Sequence, residues 1–247
     1  MAALDPKVEA LIKKFSGELE VKLLGRLRSA VLYGSAAAGT HVPGQSDLNF
    51  MIEVEKVDAG VLDDLARLFR GYADQGIAVP LVVDPEYLQH SLDVFPIEFA
   101  EMKAFHRVLF GNDPLTGLEI KADNLRLQAE FELKQKLLAL RRLYLTTAGR
   151  GKDEDRLLFS SYKSFLVVIR ALLRHLGEEK LLVPHGELLG KLEQRLAIKL
   201  PSFRQLAEAR GGPLKLKGEA RQQLIRDYLE EVAELARAVD RMGETKP

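Results

Sequence analysis

The hydrophobic period of the chain changes near residue 120, and that change sets its fold class. Before it, apolar residues come in short runs. Ala30 to Tyr33 is a continuous run ending at Gly34-Ser35, and Leu48, Phe50, Ile52 and Val54 alternate with Asp47, Asn49, Met51 and Glu53. Such runs read as a buried strand and as a strand with one face in the core. After it, apolar residues recur every three or four positions through 125–145, 157–176, 188–196 and 224–242. Gly149-Arg150-Gly151, Gly177, Pro184, Pro201 and Gly211-Gly212-Pro213 separate these stretches. An α/β (α+β) N-terminal domain over 1–120 followed by an all-α helical bundle over 121–247 is the expected fold. Gly111-Asn112-Asp113-Pro114 is the turn that marks the boundary.

Within the first part, apolar spacing from Lys7 to Leu27 predicts a helix, and Val61 to Tyr72 predicts a second. Ala78 to Val83 reads as a strand interrupted by Pro80, and His106 to Phe110 as an added edge strand. Cysteine is absent, which excludes disulfides, thiolate metal sites and a cysteine nucleophile. Any metal must therefore sit on carboxylates, imidazoles or amides. Met1 to Asp5 lacks a signal-peptide start, and no segment approaches the roughly 20 apolar residues that span a bilayer, so a cytoplasmic protein without membrane partners is expected. Net charge is zero, but residues 1–120 hold 11 Lys and Arg against 18 Asp and Glu, and residues 121–247 hold 25 against 18. Opposite fields of −7 and +7 suit two complementary domains, or a basic half that attracts nucleotide phosphate or RNA.

Val31-Leu32-Tyr33-Gly34-Ser35, an eleven-residue gap that ends in Ser46, and Asp47-Leu48-Asn49 together resemble the signature of the nucleotidyltransferase superfamily, whose members share the DNA polymerase beta-like fold. The helical second half strengthens a resemblance to two-domain aminoglycoside nucleotidyltransferases. The family implies a mixed sheet flanked by helices, and transfer of a nucleotidyl group from a nucleoside triphosphate held with Mg²⁺. Gly34 permits a sharp turn, and Ser35 offers donors to triphosphate oxygens. Residues two apart on a strand share a face, so positions 47 and 49 are the expected metal ligands. Gly34, Ser35, Ser46 and Lys163 are the expected nucleotide contacts. Lys163 belongs to the cluster Ser160 to Ser164, whose alternative reading is N-terminal capping by the serines.

One ligand departs from the family pattern. Asn49 stands where a second carboxylate is expected, and a neutral amide supplies no charge to offset a second Mg²⁺. Glu53 lies roughly 13 Å further along the strand and cannot substitute. The family's third carboxylate belongs on a neighbouring strand, yet Ala78 to Val83 has no acid before Asp84, leaving Asp84, Asp93 and Glu98 as candidates. A nucleotide or small-molecule ligand bound with weak or absent transfer is the expected function. An active enzyme using one metal on Asp47, and a non-enzymatic module whose basic bundle meets RNA or protein, are the alternatives. A homodimer is left open. Arg170 to His175 resembles the Arg-x4-His motif of HEPN ribonucleases, with a solvated helix end as the alternative, because five helical residues rotate the two side chains apart. Glu130 and Glu132 are weighed as a general base against ordinary helix-surface acids, His41 as a nucleotide contact against an exposed loop histidine, and His185 as a turn residue, while His41 and His106 have no partner at metal-ligand spacing.

Overall fold

The computed structural model describes residues 4–42, 44, 46–147, 150–209, 214, 216 and 218–244. The chain divides into two compact units, Met1–Ile120 and Lys121–Pro247. The first opens with α1 (Pro6–Lys22), capped by the Asp5 carboxylate, which accepts from the Lys7 N–H at 2.7 Å. It continues through β1 (Leu27–Tyr33), α2 (Ser35–Ala38), β2 (Asn49–Val54), α3 (Ala59–Phe69), β3 (Leu81–Val83), α4 (Pro85–His90), α5 (Pro96–Ala104) and β4 (His106–Gly111). The sheet order is β3-β2-β1-β4. β1 is antiparallel to both β2 and β4, and β2 is parallel to β3, so the sheet is mixed.

Alternation along β1 and β2 feeds two cores. Ala30, Leu32, Phe50, Ile52 and Val54 pack with Ile12, Phe15 and Leu19 of α1 and with Val61 and Leu65 of α3. On the opposite face, Val31, Met51 and Val83 pack with Leu88 of α4, Phe99 and Met102 of α5, and Leu115 and Leu118 beyond β4. The half-buried strand expected at Leu48–Val54 is thus buried on both faces: Met51 is fully buried and Glu53 is 8% exposed. Two short helices that the apolar period does not announce, α4 and α5, cover that second face. Each begins with proline, Pro85 and Pro96, at the one place a helix accepts it without losing a hydrogen bond.

Three expected elements shift. α1 ends at Lys22 because Leu27, which extends its apolar spacing, belongs to β1. The strand expected at Ala78–Val83 shortens to Leu81–Val83 beside an isolated Leu48–Ile77 bridge. The edge strand at His106 is present and ends at Gly111. A Cβ there would lie 1.9 Å from the Arg28 carbonyl oxygen, so only glycine permits β4 to close onto β1.

The second unit is all helix: α6 (Ala122–Thr147), α7 (Gly151–His175), α8 (His185–Leu196), α9 (Pro201–Ala209) and α10 (Glu219–Glu244). Its core centres on Phe165, Phe203 and Tyr228, with the Phe203 and Tyr228 ring centroids 4.7 Å apart. α9 is unannounced in the sequence, where Pro201 reads as a breaker. The buried Glu231 of α10 fixes its start by accepting from the Ser202 and Phe203 N–H groups at 2.8 and 3.2 Å. No helix among the described residues is long and apolar enough to cross a membrane.

Candidate functional site

The Gly34 turn joins the central strand to a helix of only four residues. Gly34 has φ +75° and donates its N–H to the Phe105 carbonyl at 3.0 Å, so the β1 end is tied to the residue that precedes β4. A Cβ at Gly34 would stand 3.2 Å from Nδ2 of Asn49. The turn and Asn49 are therefore brought into contact, as their strand pairing requires: Tyr33 faces Asn49 directly. Gly34 caps α2 without a side chain, leaving the N-terminal end of Ser35–Ala38 free of a capping group from its own cap residue.

β2 begins at Asn49, and Asp47 stands just before it, exposed. Leu48 between them points into the α1/α3 core, so the extended chain turns Asp47 and Asn49 toward the other face. Ser46 closes the loop ahead of them: its N–H donates to the Val42 carbonyl at 2.9 Å, and its Oγ accepts from the Val42 N–H at 3.3 Å. Across β1 from Asn49, Tyr33 also pairs with His106. Burial raises the pKa of the Tyr33 phenol above its ordinary value and keeps it neutral. The His106 ring faces two acceptors, the Lys103 carbonyl at 3.1 Å from Nδ1 and the Asp113 carboxylate at 2.9 Å from Nε2. Desolvation works against the charge on Asp113. The hydrogen bonds from Thr116, His106 and the Leu115 N–H outweigh it and bring this carboxyl down to about 2.

The acids that were candidates for a third ligand have other surroundings. Asp84 caps α4, accepting from the Tyr87 N–H at 2.9 Å, and reaches the Val57 N–H at 3.2 Å. Those two backbone donors hold its carboxyl below the usual range. Leu81 and Val83, which occupy the neighbouring strand on the Asn49 face, are apolar and pack with Met51 and Val31. Asp93 and Glu98 are exposed on and beside α5. Glu53 lies near Arg28, with Oε2 3.9 Å from Nε, and burial raises its carboxyl. No cluster of three His, Asp or Glu suited to a metal ion exists among the described residues. One carboxylate and one amide do not fit a two-metal centre; they fit at most one loosely held Mg²⁺. A broad groove of about 1060 Å³ in this unit lies elsewhere, lined by Lys13, Lys14, Lys22 and Asp64 of α1 and α3.

In the second unit Lys163 is exposed on α7. Capping by the neighbouring serines is corrected: α7 starts at Gly151, and Ser160 and Ser161 donate back to the Leu157 and Leu158 carbonyls at 3.3 and 3.0 Å. The apolar run from Phe165 marks burial rather than a helix start, which is why the period misplaced the terminus. Glu130 pairs with Arg126 and Lys134, and Glu132 with Lys136. His175 at the end of α7 lies with Nδ1 2.8 Å from the Ala122 carbonyl. His185 is the first residue of α8 rather than a turn residue, edge-on to the Tyr162 ring.

A mixed sheet carrying a Gly-Ser turn beside an Asp-x-Asn strand, followed by a helical unit, is the nucleotidyltransferase fold. Among solved structures, the chain is similar to the spectinomycin adenyltransferase AAD(9) of Enterococcus faecialis, determined with ATP and spectinomycin. The superposition has a TM-score of 0.57 at 13% identity and covers 94% of this chain and 99% of that one. No protein-family profile and no curated protein sequence matches the chain.

Proposed function

We propose that the protein binds a nucleotide or a related phosphate-bearing small molecule at the Gly34–Ser35 turn and the Asp47–Asn49 segment, with nucleotidyl transfer weak or absent. Asn49 carries this reading: its amide sits against the Gly34 turn at the position where the family resemblance calls for a metal-binding carboxylate. Replacing a carboxylate by an amide removes one negative charge from a centre that must hold a divalent cation against a triphosphate. The engagement of Asp84 as a helix cap and the apolar β3 remove the nearest replacements. Ser35 and Ser46 are the proposed phosphate and ribose contacts, and Lys163 is retained as a further candidate on the resemblance alone.

Titration calorimetry with ATP tests the binding. Heat is expected with and without Mg²⁺, with little gain from the ion, and a flat trace at millimolar ATP removes the proposal. Asn49→Asp should make binding Mg²⁺-dependent by restoring the missing charge. An active enzyme that uses one ion on Asp47 is the second reading, favoured by the exposure of Asp47 beside the turn. Pyrophosphate release by the unmodified chain that Asp47→Ala abolishes would establish it instead. The RNA reading rests on the surplus of bases in the second unit, which internal ion pairs such as those of Arg126, Lys134, Lys136 and Arg221 leave unchanged, and RNA binding that falls steeply with salt would support it.

A further inference from the structure

α6 is apolar on two sides. Ala129, Leu133, Leu137 and Leu140 are buried where it packs against α7 and α10. Leu127, Phe131, Leu138 and Leu145 lie on the far side and are 54%, 59%, 49% and 81% exposed. At 3.6 residues per turn these four fall within about 40° of one another, a single stripe along the helix. A bundle helix that works alone presents charge outward, and a continuous exposed apolar row marks an interface.

We infer that this stripe is the contact of a homodimer in which α6 packs antiparallel on α6 of a second copy, across a two-fold axis near Lys134 and Gln135. Two features of the helix select that occupant. Phe131 and Leu138 are equidistant from the axis in sequence, so a two-fold operation lays Phe131 of each copy on Leu138 of the other, and Leu127 against the stem of Arg142. The charge is also divided along the helix. Its first half holds Asp123, Glu130 and Glu132 against Arg126 and Lys134, and its second half holds Lys136, Arg141 and Arg142 and no acid. Antiparallel pairing sets the basic end of one copy beside the acidic end of the other. Parallel pairing would put like ends together. Arg141 and Arg142 are exposed and have no ion pair among the described residues, so they are available to the second copy. Such a contact is self-complementary and closes at two copies.

The absence of cysteine makes the geometry directly testable. Lys134→Cys, beside the axis, should form a disulfide-linked species of twice 27.6 kDa under mild oxidation. Leu127→Cys should not, since antiparallel helices hold its two copies roughly 20 Å apart. In sedimentation the unmodified chain should run as a dimer at tens of micromolar, and Leu138→Glu as a monomer with unchanged helix content by circular dichroism. A chain that stays monomeric at that concentration, a dimer indifferent to Leu138→Glu, or Leu127→Cys that cross-links as readily as Lys134→Cys would each overturn the proposal.

Discussion

Asp113 shows how much a single side chain in this fold can do. It accepts from the Leu115 N–H and from Thr116 and His106, closing the turn after β4 against the strand that flanks the Gly34 turn. Its carboxyl titrates at about 2 in the folded chain against an ordinary 3.8, so the folded state binds its proton less readily than the unfolded one. The stability it contributes is therefore complete above pH 4 and is lost as the pH falls from about 4 toward 2. Asp113→Asn should cost about 1–2 kcal/mol at pH 6, allowing for partial solvent screening, and the difference from the unmodified chain should shrink in that acid window. Urea melts at half-unit pH steps measure it, and a difference independent of pH would contradict the assignment. The Gly34 turn and the strand that begins at Asn49 were legible in the sequence, because a turn and an alternating strand are local patterns. The His106–Asp113 pair was not, since it depends on a seven-residue return past the end of β4.

Among the elements, the short helices were hidden and the long ones were plain. α4, α5 and α9 are too brief to show a full apolar period, and the prolines that open them read as breaks. The starts of α4 and α9 are secured by carboxylates from outside the apolar pattern, Asp84 and Glu231. Asp84→Ala removes the α4 cap and the link to Val57, and should lower the urea midpoint without changing ATP binding; loss of ATP binding would restore Asp84 as a ligand. Glu231 is 7% exposed, and burial raises its carboxyl even though two backbone donors at the start of α9 favour its charge. Glu231→Ala leaves those donors buried without acceptors and should cost about 1–3 kcal/mol in chemical denaturation. Glu231→Gln, which keeps an acceptor oxygen, should cost less, and equal losses in the two variants would contradict a capping role.

For the molecule as a whole, the amino-acid order determined the division into a strand-bearing part and a helical part, the central turn, and the amide rather than carboxylate at Asn49. Periodicity and residue identity are properties of neighbours along the chain, and they survive without knowledge of what packs on what. Tertiary structure alone decided that β2 is buried on both faces and that Asp84 is a helix cap. It also decided that α6 keeps an apolar stripe facing outward. These outcomes depend on which distant segments meet, because the fate of a charge or an apolar row is set by the surface brought against it.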